Sequence, residues 1–272
     1  MFGRHDLVFH LLIYISSIAA AVIFVLTGIR TAVELLKNKK IACKAVKFSV
    51  SALCLAWLYL SLPWWFIVLA SDQKIPQKEA FYYKLAANTA VIPSVKSSIY
   101  SWLGRLYYIN DNGPDALIYN RKAVELDNSY ELCDADNPDR NRQCKDHIWG
   151  SLYNLCDLYT VKGDVQNGVK VCNLIGLPNY AAINHILKDD YQKALDTINE
   201  RIVHRRHGSQ IYCTNYALRA YIYERLNKPK ESKEDYDKAS KLCTNPKHFN
   251  NLKHNKNFYK DLFAKRKIQY GF

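Results

Sequence analysis

Cysteine and histidine are the side chains of this sequence with the clearest chemical potential. Six of the eight cysteines lie beyond residue 71, and six thiols allow fifteen disulfide pairings. No Cys-x-x-Cys pair occurs, which weakens a zinc interpretation. His204 and His207 lie one helical turn apart and could bind a metal, but a cationic helix C-terminus explains them better. The six cysteines are Cys133, Cys144, Cys156, Cys172, Cys213 and Cys243.

No motif in the sequence indicates catalysis. The Gly-x-Ser-x-Gly turn, the His-Glu-x-x-His helix and the glycine-rich phosphate loop are all missing, and the chain has only ten glycines. Asp189 and Asp190 form an adjacent acid pair, but aspartate is favoured at turns because it hydrogen-bonds the local backbone. We therefore predict that the protein is not an enzyme and uses no cofactor, no metal and no small-molecule substrate.

Two apolar stretches near the N-terminus predict a membrane anchor. Residues 7–29 and 48–70 contain no Asp, Glu, Lys or Arg, and a bilayer core needs about 20 apolar residues in a helix. The segment between them, 30–47, carries six basic residues against one Glu. Basic loops lie preferentially in the cytoplasm. Residues 1–71 are thus predicted to form a two-helix transmembrane hairpin, with the loop inside and both termini outside.

Helical spacing becomes regular after residue 97. Small residues and aromatic residues share one face of two helices that flank a turn at 112–114, so each helix can bury its face only against the other. The residues in this pattern are Leu103, Gly104, Tyr107, Ala116, Tyr119 and Ala123, followed by the letters AVELDN. This stretch resembles a tetratricopeptide repeat, a helix–turn–helix unit with the same order of Leu-Gly, aromatic, turn and Ala positions.

Weaker copies of the pattern follow at 152–176, 182–199 and 216–243. The turns of all four units, taken at Asn112, Asp164, Asp190 and Lys228, are unequally spaced, so the array is irregular. The resemblance implies an all-α fold, in which the transmembrane hairpin is followed by an irregular TPR-like α-solenoid over 98–246. Residues 72–97 are predicted to form a linker and lead-in helix. An unrelated antiparallel helical bundle is the alternative.

Helical hairpins restrict the cysteine pairing. Residues equidistant from the turn of an antiparallel hairpin face each other, near enough for a disulfide. Cys156 and Cys172 are centred on residue 164, and Cys213 and Cys243 are centred on residue 228. The remaining pair, Cys133 with Cys144, would close a polar loop. The alternative is that all six thiols are reduced and two of them fill small interior positions, whereas disulfides would require an oxidising compartment.

The tail, residues 247–272, is basic and aromatic. We predict a C-terminal helix that caps the helical array, as such arrays require. Contact with an anionic membrane surface is the next interpretation. The net charge of +13 is unevenly distributed: residues 72–272 carry 31 basic and 23 acidic residues, a mild excess of +8 that is concentrated at the C-terminal end. This excess is weaker than a nucleic-acid groove requires, so no nucleic-acid partner is predicted.

The resemblance implies a protein-binding module whose first helices form a concave surface. Other envelope or membrane proteins are the expected partners, and the protein is expected to be an adaptor in the inner membrane with a periplasmic C-terminal domain. An accessory subunit acting through its transmembrane hairpin, or a cytoplasmic adaptor of reversed topology, is the alternative. The expected partner-binding residues are Arg105, Tyr108, Tyr153, Asp157, Tyr221 and Arg225.

Overall fold

A computed structural model describes residues 41–127, 146–204, 209–242 and 257–272, together with Asn255 and six single residues between 19 and 30. Every regular element in these ranges is an α-helix, which confirms the predicted all-α class. The chain divides into two compact units, Met1–Leu103 and Gly104–Phe272. The helices are α1 (Ile41–Ser71), α2 (Pro76–Thr89), α3 (Pro93–Ile109), α4 (Gly113–Leu126), α5 (Asp146–Lys162), α6 (Val165–Leu174), α7 (Pro178–Ile186), α8 (Tyr191–His204), α9 (Ser209–Arg225), α10 (Pro229–Leu242) and α11 (Phe258–Gln269).

The first unit contains the helix that is suited to a membrane. The part of α1 from Ser51 to Ser71 is long and apolar enough to cross a bilayer, and most of it is not buried. Leu53 and Trp57, for example, leave 70% and 45% of their surface exposed. No other helix in the described ranges meets this test. The predicted first span, 7–29, lies largely outside the described residues, so the two-span hairpin stays a prediction.

Helix α2 packs against α1 in the same unit. Its buried face consists of three alanines and Tyr83, and small side chains let two helix backbones approach closely. The Tyr83 ring lies 5.9 Å from the Trp102 ring, between centroids, which joins α2 to α3. Burial, followed by the charge of Glu79, raises the pKa of Tyr83 to about 12.

Five pairs of consecutive helices in the described residues, from α3–α4 to α9–α10, are separated by very short turns of one kind. Each of these turns contains one residue with positive φ, which ends the preceding helix. The next helix begins two residues after it. At two of these turns, the side chains of Asn112 and Asp164 accept a hydrogen bond from the backbone N–H three residues on, which caps α4 and α6. The positive-φ residues are Asp111, Gly163, Gly176, Asp189 and Asn227.

In consecutive antiparallel helices, the residues that contact each other across the pair are repeatedly 16 positions apart in the chain. Cys156 bonds Cys172 and Arg219 binds Asp235, both across a sequence separation of 16. Gly104 with Asn120 and Gly168 with Asn184 are also 16 positions apart, and each amide lies where a glycine Cβ would be. The equivalent contact between paired helices is therefore made in three different ways: by a disulfide, by a glycine packed against an asparagine amide, and by an ion pair.

The helix pairs are stacked one on the next. Helix α4 contacts α5, α6 contacts α7, and α8 contacts α9. The first helices of successive pairs also contact each other, α5 with α7 and α7 with α9. One apolar core runs through these helices from Ala116 to Ala239, and it includes three aromatic residues of the C-terminal segment, Tyr259, Phe263 and Tyr270. A second buried cluster surrounds Cys156 and Cys172.

Candidate functional site

The C-terminal helix α11 lies across the first helices of the second unit. It contacts α5 directly, and its side chains bind residues at the end of α3, in α5, after α7 and in α9. We call the residues that receive it the α11 site, defined as Tyr108, Asp157, Asp189 and Tyr221. Sequence analysis predicted a terminal helix within 247–272 that caps the array, whereas α11 occupies the face formed by the first helices.

A carboxylate at the centre of the α11 site binds an arginine of α11. The Asp157 side chain is 2% exposed, and the Arg266 guanidinium donates hydrogen bonds to both of its oxygens at 2.7 and 2.5 Å. The Tyr108 hydroxyl donates a third, at 2.8 Å. Burial, and then the negative charge of Asp157, raise the pKa of Tyr108 far above its usual value, so this hydroxyl stays a donor at every physiological pH.

Aromatic rings surround the arginine. The Arg266 guanidinium lies 5.4 Å from the Phe263 centroid and 5.5 Å from the Tyr270 centroid, within range of cation–π attraction. Burial lowers the pKa of Arg266, but the hydrogen bonds and charge of Asp157 outweigh this and raise it overall. The guanidinium therefore remains charged in this partly buried position, which a planar bidentate donor suits better than an ammonium group.

A second anchor lies one helical turn before Phe263. The Tyr259 ring meets the Tyr221 ring edge to face, with centroids 5.3 Å apart and an interplanar angle of 81°. Both rings are buried. At the position after Tyr259, the Lys260 ammonium lies 2.6 Å from a carboxylate oxygen of Asp189, and both of these side chains are well exposed. The α11 site thus offers two acidic groups and two aromatic rings to a basic, aromatic helix.

The end of the chain is held by a backbone contact. The N–H of Gly113 donates to the carbonyl oxygen of Tyr270 at 2.8 Å. A Cβ at position 113 would lie 2.7 Å from that oxygen and 2.6 Å from the Phe272 ring. Only glycine allows the segment after α11 to approach the first turn of α4 this closely.

The residues predicted to bind partners fall into two groups. Tyr108, Asp157 and Tyr221 belong to the α11 site, and the Arg225 guanidinium covers the Tyr221 ring at 5.3 Å. The other two, Arg105 on α3 and Tyr153 on α5, are not among the residues that define the α11 site. Arg105 is exposed, and Tyr153 stacks on Trp149 with centroids 5.8 Å apart.

Sequence reasoning missed the complementary half of this site. Tyr259, Phe263, Arg266 and Tyr270 follow one another at spacings of four, three and four, which places them on one face of a helix. This spacing was the available signal. Asp189 was interpreted only as a turn residue, and its side chain also binds the α11 ammonium.

The predicted disulfide between α5 and α6 is present. Cys156 and Cys172 are both fully buried, their sulfurs are bonded, and their Cα atoms lie 4.9 Å apart. Cys213 is also disulfide-bonded. Its predicted partner, Cys243, lies outside the described residues, as do Cys133 and Cys144.

A separate buried ion pair joins α9 to α10. The Arg219 guanidinium donates to both oxygens of Asp235, at 2.5 and 2.9 Å, and to the Asn199 amide oxygen at 2.8 Å. Tyr216 and Tyr223 lie over the same guanidinium. Because every one of these partners comes from α9 itself or from the adjacent helices α8 and α10 of the array, the cluster has a structural role.

Nothing in the described ranges brings three His, Cys, Asp or Glu side chains together as a metal site. No family model, curated protein or solved structure matches the chain. The geometry of the α11 site is therefore the main guide to function: it recognises an amphipathic helix through one buried carboxylate, one exposed carboxylate and aromatic rings.

Proposed function

We propose that this protein is a membrane-anchored, non-enzymatic adaptor for protein–protein interaction. Its TPR-like α-solenoid would act in the periplasm, as a subunit or assembly factor of a cell-envelope complex. The observation that carries the proposal is the α11 site, where three residues of α3, α5 and α9 and one residue of the turn after α7 bind an amphipathic helix. Surfaces of this kind, with aromatic and charged anchors in a groove, are typical of helix recognition between proteins.

The proposed location has separate support. The apolar helix α1 offers a membrane anchor, and the basic segment 30–47 favours a cytoplasmic loop between two spans. The Cys156–Cys172 bond indicates an oxidising compartment, because disulfides in the cytoplasm are rare. Charge distribution and thiol chemistry are unrelated properties, and both favour a periplasmic second unit.

The location can be tested with reporters fused after Phe272. We expect a fusion to alkaline phosphatase to be enzymatically active. We expect a fusion to green fluorescent protein to be non-fluorescent, because this reporter does not fold after export in unfolded form. Alkylation of the denatured but unreduced protein should leave the peptides that contain Cys156 and Cys172 unlabelled. A fluorescent, phosphatase-inactive fusion would contradict the periplasmic location and favour the cytoplasmic alternative.

The adaptor role can be tested by site-specific photocrosslinking in intact cells. A photoreactive residue at Arg105 or Tyr153, beside the α11 site, should form a discrete protein adduct under ultraviolet light. The matched control is exposed Lys233 on α10, a second helix of its pair. Equal adducts at all three positions, or none at Arg105 and Tyr153, would contradict the proposal.

The accessory-subunit alternative places the function in the transmembrane segment instead. The exposed apolar surface of α1, including Leu53 and Trp57, would serve either lipid or neighbouring membrane helices. Replacing residues 1–71 by an unrelated two-span anchor separates the two functions. An adaptor keeps its photocrosslinked partners after this exchange, whereas an accessory subunit loses them.

A further inference from the structure

We infer that the α11 site is a receptor for a partner helix with the side-chain pattern of α11, and that α11 occupies the site until such a helix displaces it. The partner segment is a basic amphipathic helix with aromatic residues at positions i, i+4 and i+11 and an arginine at i+7. This inference rests on the proposed adaptor function and names the chemistry of its partner.

The pattern is defined by the contacts of α11 itself. Tyr259, Phe263, Arg266 and Tyr270 make the inward contacts, and the apolar members of this set are almost fully buried. Residues between them, such as Lys265 and Lys267, point to solvent. The site therefore contacts four side chains on one face of the helix. The residues between these four positions in a partner helix can differ from those of α11.

The α11 site keeps internal partners when α11 leaves. Asp157 retains the hydrogen bond from the Tyr108 hydroxyl. The Tyr221 ring retains the Arg225 guanidinium, 5.3 Å from its centroid. Because both anchors are positioned by α3, α5 and α9, the free site presents its carboxylate and ring in the geometry that a second helix needs, and preorganisation lowers the cost of binding.

Helix α11 is weakly stabilised by its own sequence. Its N-cap residue, Asn257, makes no side-chain capping bond, and a helix of 12 residues is marginal in water without tertiary contacts. The exposed Lys260–Asp189 pair adds little, because surface ion pairs contribute little net stability.

Glycine 113 permits a variant that alters neither α11 nor the α11 site. Gly113→Ala introduces a Cβ that collides with the Tyr270 carbonyl and the Phe272 ring. The collision loosens the C-terminal segment but leaves Asp157 and Tyr221 intact. The probe is a fluorescein-labelled synthetic peptide of residues 257–269, which ends before Tyr270 and so does not meet the new Cβ at position 113. Its binding to the full-length protein in detergent is followed by fluorescence anisotropy.

We expect the peptide to bind the Gly113→Ala protein at least tenfold more tightly than the unaltered protein, because the internal competitor is weakened. Arg266→Lys in the peptide should weaken binding at least tenfold, since lysine cannot form the bidentate contact. Lys265→Ala in the peptide removes the same charge from the exposed face and should leave affinity unchanged. Binding that is no tighter to Gly113→Ala, or equal loss with both peptide variants, overturns the inference.

Hydrogen exchange on the unaltered full-length protein gives a second measurement that does not depend on a variant. Amides of α11 should exchange at least tenfold faster than those of α9, through local opening, and excess peptide should compete for the site. Equal exchange in α11 and α9 would show that α11 is a permanent part of the core and overturn the inference. Peptide binding with no photocrosslinked partner contradicts the adaptor function alone, and photocrosslinks without peptide binding contradict this inference alone.

Discussion

Arg266 binds both carboxylate oxygens of Asp157, a residue 109 positions earlier in the chain. The Arg266 side chain is 22% exposed and the Asp157 side chain only 2%. The pair joins the last helix to the centre of the helical array. Because the aspartate is almost fully desolvated, removal of the arginine should lower the free energy of unfolding by a measurable amount.

Replacement of Arg266 should destabilise the second unit. Arg266→Ala leaves a buried carboxylate with the Tyr108 hydroxyl as its remaining side-chain donor, and loss of one member of a buried ion pair costs about 3 kcal/mol. Chemical denaturation followed by circular dichroism measures this loss. Lys265→Ala, on the exposed face of α11, should change stability by less than about 0.5 kcal/mol. Similar losses in the two variants would contradict the assignment of Arg266 as the anchor.

Removal of the α5–α6 disulfide should lower stability without changing helix content. The bond closes a loop with a sequence separation of 16, for which chain entropy predicts about 3 kcal/mol. The double variant Cys156→Ala/Cys172→Ala should therefore unfold at lower denaturant concentration. Cys54→Ala removes a free cysteine of α1 and is the matched control. An unchanged midpoint in the double variant would show that the bond does not restrain the unfolded chain.

Two glycines in helices should respond in opposite directions to alanine. A Cβ at Gly104 would lie 2.5 Å from the Asn120 amide nitrogen, whereas a Cβ at Gly150 meets nothing within 4 Å. Asn120 is fully buried and bonded to Ala116 and Asn154, so it cannot move aside freely. Gly104→Ala should cost about 1–3 kcal/mol, and Gly150→Ala should stabilise α5 by about 0.5–1 kcal/mol. Thermal denaturation measures whether each substitution raises or lowers stability. Destabilisation by both substitutions would contradict the assignment of Gly150 as a glycine with open space around it.

His185 should make stability depend on pH. Burial is the main cause that lowers the pKa of His185, opposed by Asp190 and assisted by Lys193. Between this lowered pKa and the unfolded value near 6.5, the unfolded chain binds more protons than the folded chain, so stability falls as pH falls through that window. When the pH is lowered from 7 to 5, the His185→Gln protein should therefore lose less stability than the unaltered protein. Parallel stability profiles would contradict the contribution of this histidine.

The local features of the fold could be predicted from the sequence. The turns predicted at Asn112 and Asp164 coincide with helix N-caps, because capping depends on residues within one helical turn. The apolar stretch 48–70 likewise predicts a membrane-compatible helix, and α1 contains one at Ser51–Ser71. The Cys156–Cys172 pair could be predicted because both cysteines flank a single turn.

The α11 site depends on relations that sequence patterns do not contain. Asp157 was predicted to face a partner, but nothing near it in the chain indicates Arg266 as the group that binds it. Asp157 lies on α5 and Arg266 on α11, so their contact depends on how the helix pairs stack and on where the C-terminal segment packs against them. Local spacing sets which side chains share a face, while the path of the chain sets which faces meet.

The sequence by itself therefore determined the helices, their turns, one disulfide and an apolar segment able to span a membrane, because each arises from interactions among nearby residues. Only the tertiary structure decided that the face formed by the first helices is occupied by α11, and that Gly113 admits the end of the chain. These contacts join residues more than a hundred positions apart, and packing of the whole second unit is what brings them within hydrogen-bonding distance.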